Sequence, residues 1–450
     1  MRHLFIKITS DAQKVKPGGH WMKSSHNMNA GVGERMQYLA HKYNDTTIRF
    51  ILHYPGFLNP DILCAATKAV IGDVDVLHAS FIANSQSCHW RINTDYQVSD
   101  YFSILECDGD PVKVACGLAV QPVGQKDKCQ FQVTLVKGSE NCAVLIRISH
   151  LVVDGGDGKY LLNKLAEAYR IIEENRDIAE LVVKDGSRSA MNAYKGLGLQ
   201  ELKSLFKMPF SGVKTIYPFA DPKEHGALRM LRVTIPAEIM GTARMKAKTV
   251  GASVNDLLLT ACYRSYAKTN HLEGAMSVSG MVDLRQHCKD GTSEGLSNMS
   301  GGLSTTLEYA SDTTFTDNLA EIARQTIEAK QNPLVGLDGI PMIHTATKTA
   351  PMWVLLKAAD IIYSSLSLSL TNLGNIPCEP FTMGGMKPCE GIFGGPLKRK
   401  PSVQVGAASF DGTAELTILG DFTTGDMENL TMFLNGMKTE LENYLEEEKE

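Results

Sequence analysis

The chain of 450 residues is long enough to bury two or three hydrophobic cores of ordinary size. With 43% hydrophobic and 21% charged residues, its composition is that of a folded globular protein and not of a disordered one. Its 45 Lys and Arg against 50 Asp and Glu leave a formal charge of -5 without strong blocks, which argues against a nucleic-acid groove or a polybasic membrane patch.

The 10 cysteines form no Cys-x-x-Cys pair and no tight cluster with histidine. Neither a metal site nor a secreted disulfide framework is expected, and a reducing, cytoplasmic compartment fits. The N-terminus lacks a long apolar stretch with a small-residue cleavage site. No apolar run approaches the ~20 residues that span a bilayer.

In chain order, the polar "ERMQYLAHKYNDTT" precedes "IRFILHYPGFL", a strand that leaves through a Pro-Gly turn. "NPDILCAATKAVIGDVDVLHASF" places Ile62, Ala66, Ala69 and Val70 at helical spacing. "QFQVTLVKG" and "CAVLIRIS" read as two strands about the turn "KGSEN". "KYLLNKLAEAYRIIEEN" then sets Leu161, Leu165, Ala168 and Ile172 on one helical face, with Asp157 as its candidate N-cap.

Residues 181–225 mix Gly, Ser and Pro and read as a linker between an N-terminal unit, 1–180, and a C-terminal unit, 226–450. The second unit restarts with the strand "LRMLRVTIP" and the helix "ASVNDLLLTACYRSYAK", whose Ser253 and Asp256 suit a helix start. A strand "AMSVSGMVDLR", the amphipathic "FTDNLAEIARQTIEAK", a hairpin "PSVQVGAASFDGTAELTILGDF" and a terminal amphipathic helix follow. Strands and helices alternate in both units, so each is expected to be an α/β sandwich.

Between these units of pattern stands "RISHLVVDGGDG", in which a buried strand ends on His150 and Asp154 with Gly155 follow four positions later. A histidine at a strand end is suited to general-base work, since its ordinary pKa of about 6.5 lets it take and return a proton near neutrality. Asp154 can fix the turn, and Gly155, Gly156 and Gly158 allow backbone approaches that a side chain would forbid. The following helix directs its N-terminal amides at developing negative charge. Three specified positions in six also arise by chance, so the residues alone leave His150 as either a base or a polar strand end.

"CAVLIRISHLVVDGGDGKYLLNKLAEAYR" resembles the core of condensation domains and CoA-dependent acyltransferases, which carry His-His-x-x-x-Asp-Gly between a strand and a helix. The order of "MVDLR", "SNMSGGLSTTLEY", "SLTNLG" and the closing strands and helix is similar along most of the chain. The resemblance implies two chloramphenicol-acetyltransferase-like α/β subdomains meeting in a V-shaped pseudo-dimer around a tunnel. His150 matches the catalytic histidine, Asp154 the structural aspartate, and Arg285 its guanidinium partner. Gly155 amides, Ser369 and Asn372 are the candidate oxyanion or tunnel groups, although Asn-Leu-Gly also reads as a plain turn.

One departure is Ser149, which stands where the first histidine of the motif would be. It moves the resemblance toward stand-alone, alcohol-acetyltransferase-like members. The implied reaction joins an acyl-CoA, or a phosphopantetheine thioester on an acyl or peptidyl carrier protein, to an alcohol or amine, with no bound cofactor or metal. The rival expectation is a condensation-like domain that binds a carrier or partner without catalysis. "GIFGGPLKRKPS", with Lys398, Arg399 and Lys400, could meet a CoA phosphate or a carrier's phosphopantetheine but reads first as a solvated loop, and it lacks the Gly-Lys-Ser/Thr of a P-loop. Cys378, Cys389, His78 and His89 read as ordinary residues.

Overall fold

The computed structural model describes residues 27–84, 88–205, 213, 215–363 and 368–447. The first half opens with β1 (Asn27–Asn29), α1 (Val32–Ala40), β2 (Thr47–Tyr54) and α2 (Pro60–Gly72). β3 (Ala79–Ala83), β4 (Cys88–Ile92), β5 (Phe102–Glu106) and α3 (Pro111–Ala119) come next. β6 (Phe131–Lys137), β7 (Cys142–Ser149), α4 (Gly155–Glu173) and α5 (Leu199–Ser204) complete it.

The second half begins with β8 (Ala227–Ile235), α6 (Ala237–Lys248), α7 (Val254–Asn270) and β9 (Gly274–Asp283). β10 (Ser300–Tyr309), α8 (Phe315–Gln331), α9 (Ile340–Thr349) and α10 (Met352–Tyr363) follow. β11 (Leu368–Ile376), β12 (Glu390–Gly394), β13 (Val403–Phe410), β14 (Thr413–Phe422) and α11 (Thr424–Glu446) end the chain.

β2 and β7 are apolar on both faces because each face has its own cover. Ile48, Phe50, Ile146 and Ile148 pack with Leu161 and Leu165 of α4, whereas Ile51, Ala143 and Leu145 pack with Val112 and Ala115 of α3. These strands lie inside a five-stranded sheet of order β12-β2-β7-β6-β5. The second half forms a six-stranded sheet, β10-β9-β11-β13-β14-β8, whose Val278, Leu370, Val405 and Leu416 meet Leu257 of α7 and Leu434 of α11. A small sheet, β1-β4-β3, flanks the first. The Asp-Gly turn joining β13 to β14 takes the left-handed region at Asp411 and Gly412, φ 46° and 92°, as a tight hairpin of this kind requires.

The sheets do not divide at the boundaries read from composition. β12 belongs to 226–450 by sequence, yet it is the edge strand of the first sheet, pairing antiparallel with β2 from Glu390↔His53 to Gly394↔Arg49. Residues 181–225 carry α5 and a turn at Ala190–Tyr194. There Ala190, Ala193 and Tyr194 are buried with Leu284, Met299 and Leu337 of the second half. The polar segment after residue 31 is also helical, as α1, which buries Val32 and Leu39.

Ser253 caps α7 reciprocally with Asp256, as its spacing predicts. α4 differs: it starts three residues earlier than its apolar periodicity indicates, and its N-cap is Asp154, which accepts from the Asp157 amide at 3.0 Å. Among the described residues no helix is long and apolar enough to cross a membrane.

Candidate active site

β7 ends on Ser149, which is buried with no hydrogen-bond partner for its hydroxyl among the described residues. His150 leaves the sheet immediately after, its amide still bonded to the Thr46 carbonyl at 2.7 Å. The ring is partly exposed. Its Nδ1 lies 2.7 Å from the Val153 carbonyl, a pure acceptor, so Nδ1 carries the proton and Nε2 is the basic nitrogen. Burial holds the imidazole pKa below its ordinary value. The Val153 bond and the Asp154 charge partly oppose this, and the Lys398 charge adds to it.

Behind the loop, Asp154 and Arg285 form a bidentate pair, Nη1 to Oδ2 at 2.8 Å and Nη2 to Oδ1 at 3.1 Å. Asp154 comes from the cap of α4, and Arg285 from a short turn after β9, so the pair ties the two halves together. Burial alone would raise the Asp154 pKa, but the Arg285 charge and hydrogen bonds outweigh it and hold the carboxyl below its usual range. The Met299 amide also donates to Asp154, at 2.7 Å.

Asp157, one turn along, is buried and shares this cation. It lies 3.0 Å from Arg285 and 2.5 Å from Nζ of Lys184, and accepts from the Ser297 amide at 2.7 Å. The network thus holds two carboxylates between an arginine of one half and a lysine of the segment 181–225. Gly156 sits against it, where a Cβ would stand 3.2 Å from both Arg285 Nη1 and Asp154 Oδ1.

Ser369 and Asn372 make no hydrogen bond to this network among the described residues. Ser369, in β11, donates to the Val403 carbonyl at a long 3.4 Å. The Asn372 side-chain oxygen accepts from Gly374 at 2.8 Å, where the register of β11 shifts against β13. Neither hydrogen-bonds to His150 among the described residues. Gly155 faces the same bulge, since a Cβ on it would meet the Leu373 side chain at 2.2 Å.

Two participants, Asn298 and Arg188, have no signal in the local sequence, and a third, Lys398, is placed differently from its sequence reading. Asn298 donates to the His150 carbonyl at 3.3 Å and has its amide nitrogen 3.2 Å from Nδ1. Arg188 reaches the Leu296 carbonyl at 2.6 Å and Glu34 at 2.8 Å, pinning the segment 181–225 beside the motif loop. Lys398 lies within the reach of its charge on His150 and is half-buried, not the solvated cation its surroundings suggest. Among the described residues no group of three or more His, Cys, Asp and Glu could hold a metal ion.

No protein-family profile matches the chain, and no curated protein matches it. Solved structures do match. The first condensation domain of the CDA synthetase superposes on 93% of this chain and 97% of its own, with a TM-score of 0.67 and 14% identity. The TRI3 trichothecene 15-O-acetyltransferase from Fusarium sporotrichioides covers 92% of this chain and 95% of its own, at 0.66 and 11% identity. Polyketide synthase associated protein 5 from Mycobacterium tuberculosis covers 93% and 100%, at 0.62 and 14%.

The protein therefore has the two-half α/β fold that condensation domains share with this acetyltransferase. That is the fold class implied by the resemblance of its motif and element order to that family.

Proposed function

We propose that this protein is an acyltransferase that moves an acyl group from a thioester to an alcohol or amine, with Nε2 of His150 as general base. The single observation that carries the reading is the His150 ring. Its Nδ1 is anchored on the Val153 carbonyl in the turn after β7, the ring is neutral near pH 7, and its Nε2 has no partner among the described residues. A base so held is already oriented and needs no reorganisation before it acts.

In the proposed step the acceptor O–H or N–H gives its proton to Nε2 as the heteroatom attacks the thioester carbonyl carbon. The tetrahedral oxyanion collapses, the C–S bond breaks, and the imidazolium returns the proton to the departing thiolate. Asp154 and Arg285 hold the loop and do not themselves take the proton. Oxyanion stabilisation is assigned to the Gly155 amide at the N-terminus of α4, where donors are worth ~3 kcal/mol each. The Asn372 side-chain nitrogen, which has no partner among the described residues, is a second donor. Ser369, already bonded to Val403, is a weaker one.

Acyl-CoA is the donor of first choice and a carrier-bound phosphopantetheine thioester the second; the cytoplasm is the setting. Mass-spectrometric screening of acyl-CoAs against pooled alcohols and amines, with His150→Ala as control, tests this. Product from the wild type and its loss in the variant supports the reading, and equal turnover by both removes His150 as base. Ser149, standing where a first histidine is expected, favours a second reading, a non-catalytic domain that binds an acyl or peptidyl carrier. That reading requires carrier binding with no turnover of any donor.

A further inference from the structure

The segment that follows β12 continues its pairing with the chain before β2. The Asp45 amide donates to the Leu397 carbonyl at 3.1 Å, the Arg399 amide to Tyr43 at 3.0 Å, and Asn44 faces Lys398. Two residues on, Thr46 accepts from the His150 amide. His150, Thr46 and Lys398 thus stand at one end of three neighbouring strands. Lys398 is also joined to the second sheet, through its amide to Leu419 at 3.1 Å. It lies where the two halves are stitched together, two strands over from His150 at the same end of the sheet, and its charge reaches the imidazole.

The three cations of this segment differ in what neutralises them. Lys400 pairs with Asp426 and with the Glu224 carbonyl, and Arg399 is exposed to water. Lys398 is half-buried, and among the described residues its ammonium has neither a hydrogen bond nor an ion pair. The carboxylate whose charge reaches it, Asp45, is already engaged. Asp45 accepts from both Arg49 terminal nitrogens, from the Thr47 amide at 3.2 Å and from the Leu397 amide at 3.0 Å. A partly desolvated ammonium without a counter-ion is costly, and an anion supplied by a ligand removes that cost.

We infer that Lys398 is an anion-recognition group and that the molecule acylated or donated at this site carries a carboxylate close to its reacting atoms. The inference rests on the acyl-transfer reading and names the substrate class for it. The phosphates of CoA do not meet the requirement, because the pantetheine arm holds them far from a thioester carbonyl placed at His150. The carboxylate belongs either to the acyl group, as in a dicarboxylic monothioester, or to the acceptor, as in a hydroxy or amino acid. The desolvation that makes Lys398 seek an anion also brings its pKa down to about 8, so it is still largely protonated at neutral pH.

The test compares matched probes that differ by one charge: succinyl-CoA with butyryl-CoA as donors, and 3-hydroxybutyrate with its methyl ester as acceptors. Calorimetric Kd values are measured for wild type, Lys398→Met and Lys398→Arg, and kcat/KM ratios for every pair that turns over. The wild type is expected to favour the charged member of one pair by about tenfold or more, the size of one charge-assisted hydrogen bond. Lys398→Met abolishes that preference and Lys398→Arg keeps it; the pair that responds identifies which substrate bears the carboxylate. Equal affinity within both pairs, or a preference that survives Lys398→Met, overturns the inference. Because binding is read without turnover, this failure is separate from that of the acyl-transfer reading, which His150→Ala decides.

Discussion

Arg285 grips both carboxylate oxygens of Asp154, at 2.8 and 3.1 Å, with both residues buried and each contributed by a different half of the molecule. Removing the guanidinium leaves Asp154 and Asp157 buried side by side, with Lys184 on Asp157 and only the more distant charge of Lys159 on Asp154. Arg285→Ala is therefore expected to cost ~3–5 kcal/mol of stability, the range for breaking a buried pair by deleting one partner. Asp154→Asn keeps one oxygen for the helix cap but turns an NH2 toward two donors, Arg285 Nη1 and the Met299 amide; Arg285 still has Asp157 and Asp283 as counter-charges, so the cost is smaller. Urea unfolding of the two variants measures the difference.

The same pair sets an acid dependence. The folded Asp154 pKa lies below that of the unfolded chain, about 3.9, so the unfolded state binds more protons between the two values. The stability contributed is fully present above the unfolded pKa and is lost as pH falls through the folded one. In Asp154→Asn this share of the acid dependence disappears, which urea midpoints taken from pH 6 down to pH 3, about a unit below the unfolded value, detect.

For His150 the sign is opposite in kind, because its neutral form is the working one. Burial lowers its pKa, so the acid limb of kcat/KM lies below about 6.5. Lys398→Met removes a neighbouring like charge and moves that limb to higher pH. Asn298→Asp, which sets a carboxylate beside Nδ1, moves it the same way. His150→Ala lowers kcat/KM by ~10²–10⁴, the usual worth of a general base. A pH profile of the four proteins distinguishes these effects, since loss of structure alone would depress the profile without displacing its limb.

What the sequence reveals of this site follows the range of the interactions. β7 and the body of α4 announce themselves through apolar periodicity, which is local. The first turn of α4 does not, because Gly155, Gly156 and Gly158 carry no helical signal, and the start is displaced to Asp157. Arg285, 131 residues from Asp154, is reached only through resemblance to a family; no local pattern joins the two. Asn298 sits in a polar segment without periodicity.

The segment 181–225 looks like a linker by composition. Its described residues are held by partners elsewhere, as when the Tyr194 hydroxyl donates to Leu337 at 2.8 Å, across 143 residues. Lys398 looks solvated for the same reason: the strand pairing that draws it inside involves residues 43–45. Local patterns describe elements, and the site is made where elements cross.

Gly158 and Gly241 provide the last prediction, because one substitution has opposite effects at the two. Both lie within helices, α4 and α6, where Ala is favoured over Gly by ~1 kcal/mol. At Gly241, which is exposed, a Cβ would meet nothing within 4 Å, so Gly241→Ala is expected to stabilise by ~0.5–1 kcal/mol. At Gly158 the Cβ would stand 2.9 Å from Ile48 Cδ1 and 2.9 Å from Phe50 Cε2. Those side chains belong to β2, fully buried under α4, and overpacking of this kind costs ~1–3 kcal/mol. The steric cost exceeds the propensity gain, and Gly158→Ala is expected to lower the urea midpoint. Because relief requires α4 to lift from β2 next to the His150 loop, kcat/KM should fall with it, whereas Gly241→Ala leaves kcat/KM unaltered. A raised midpoint in both variants would mean that α4 does not pack on β2 as closely as these contacts require.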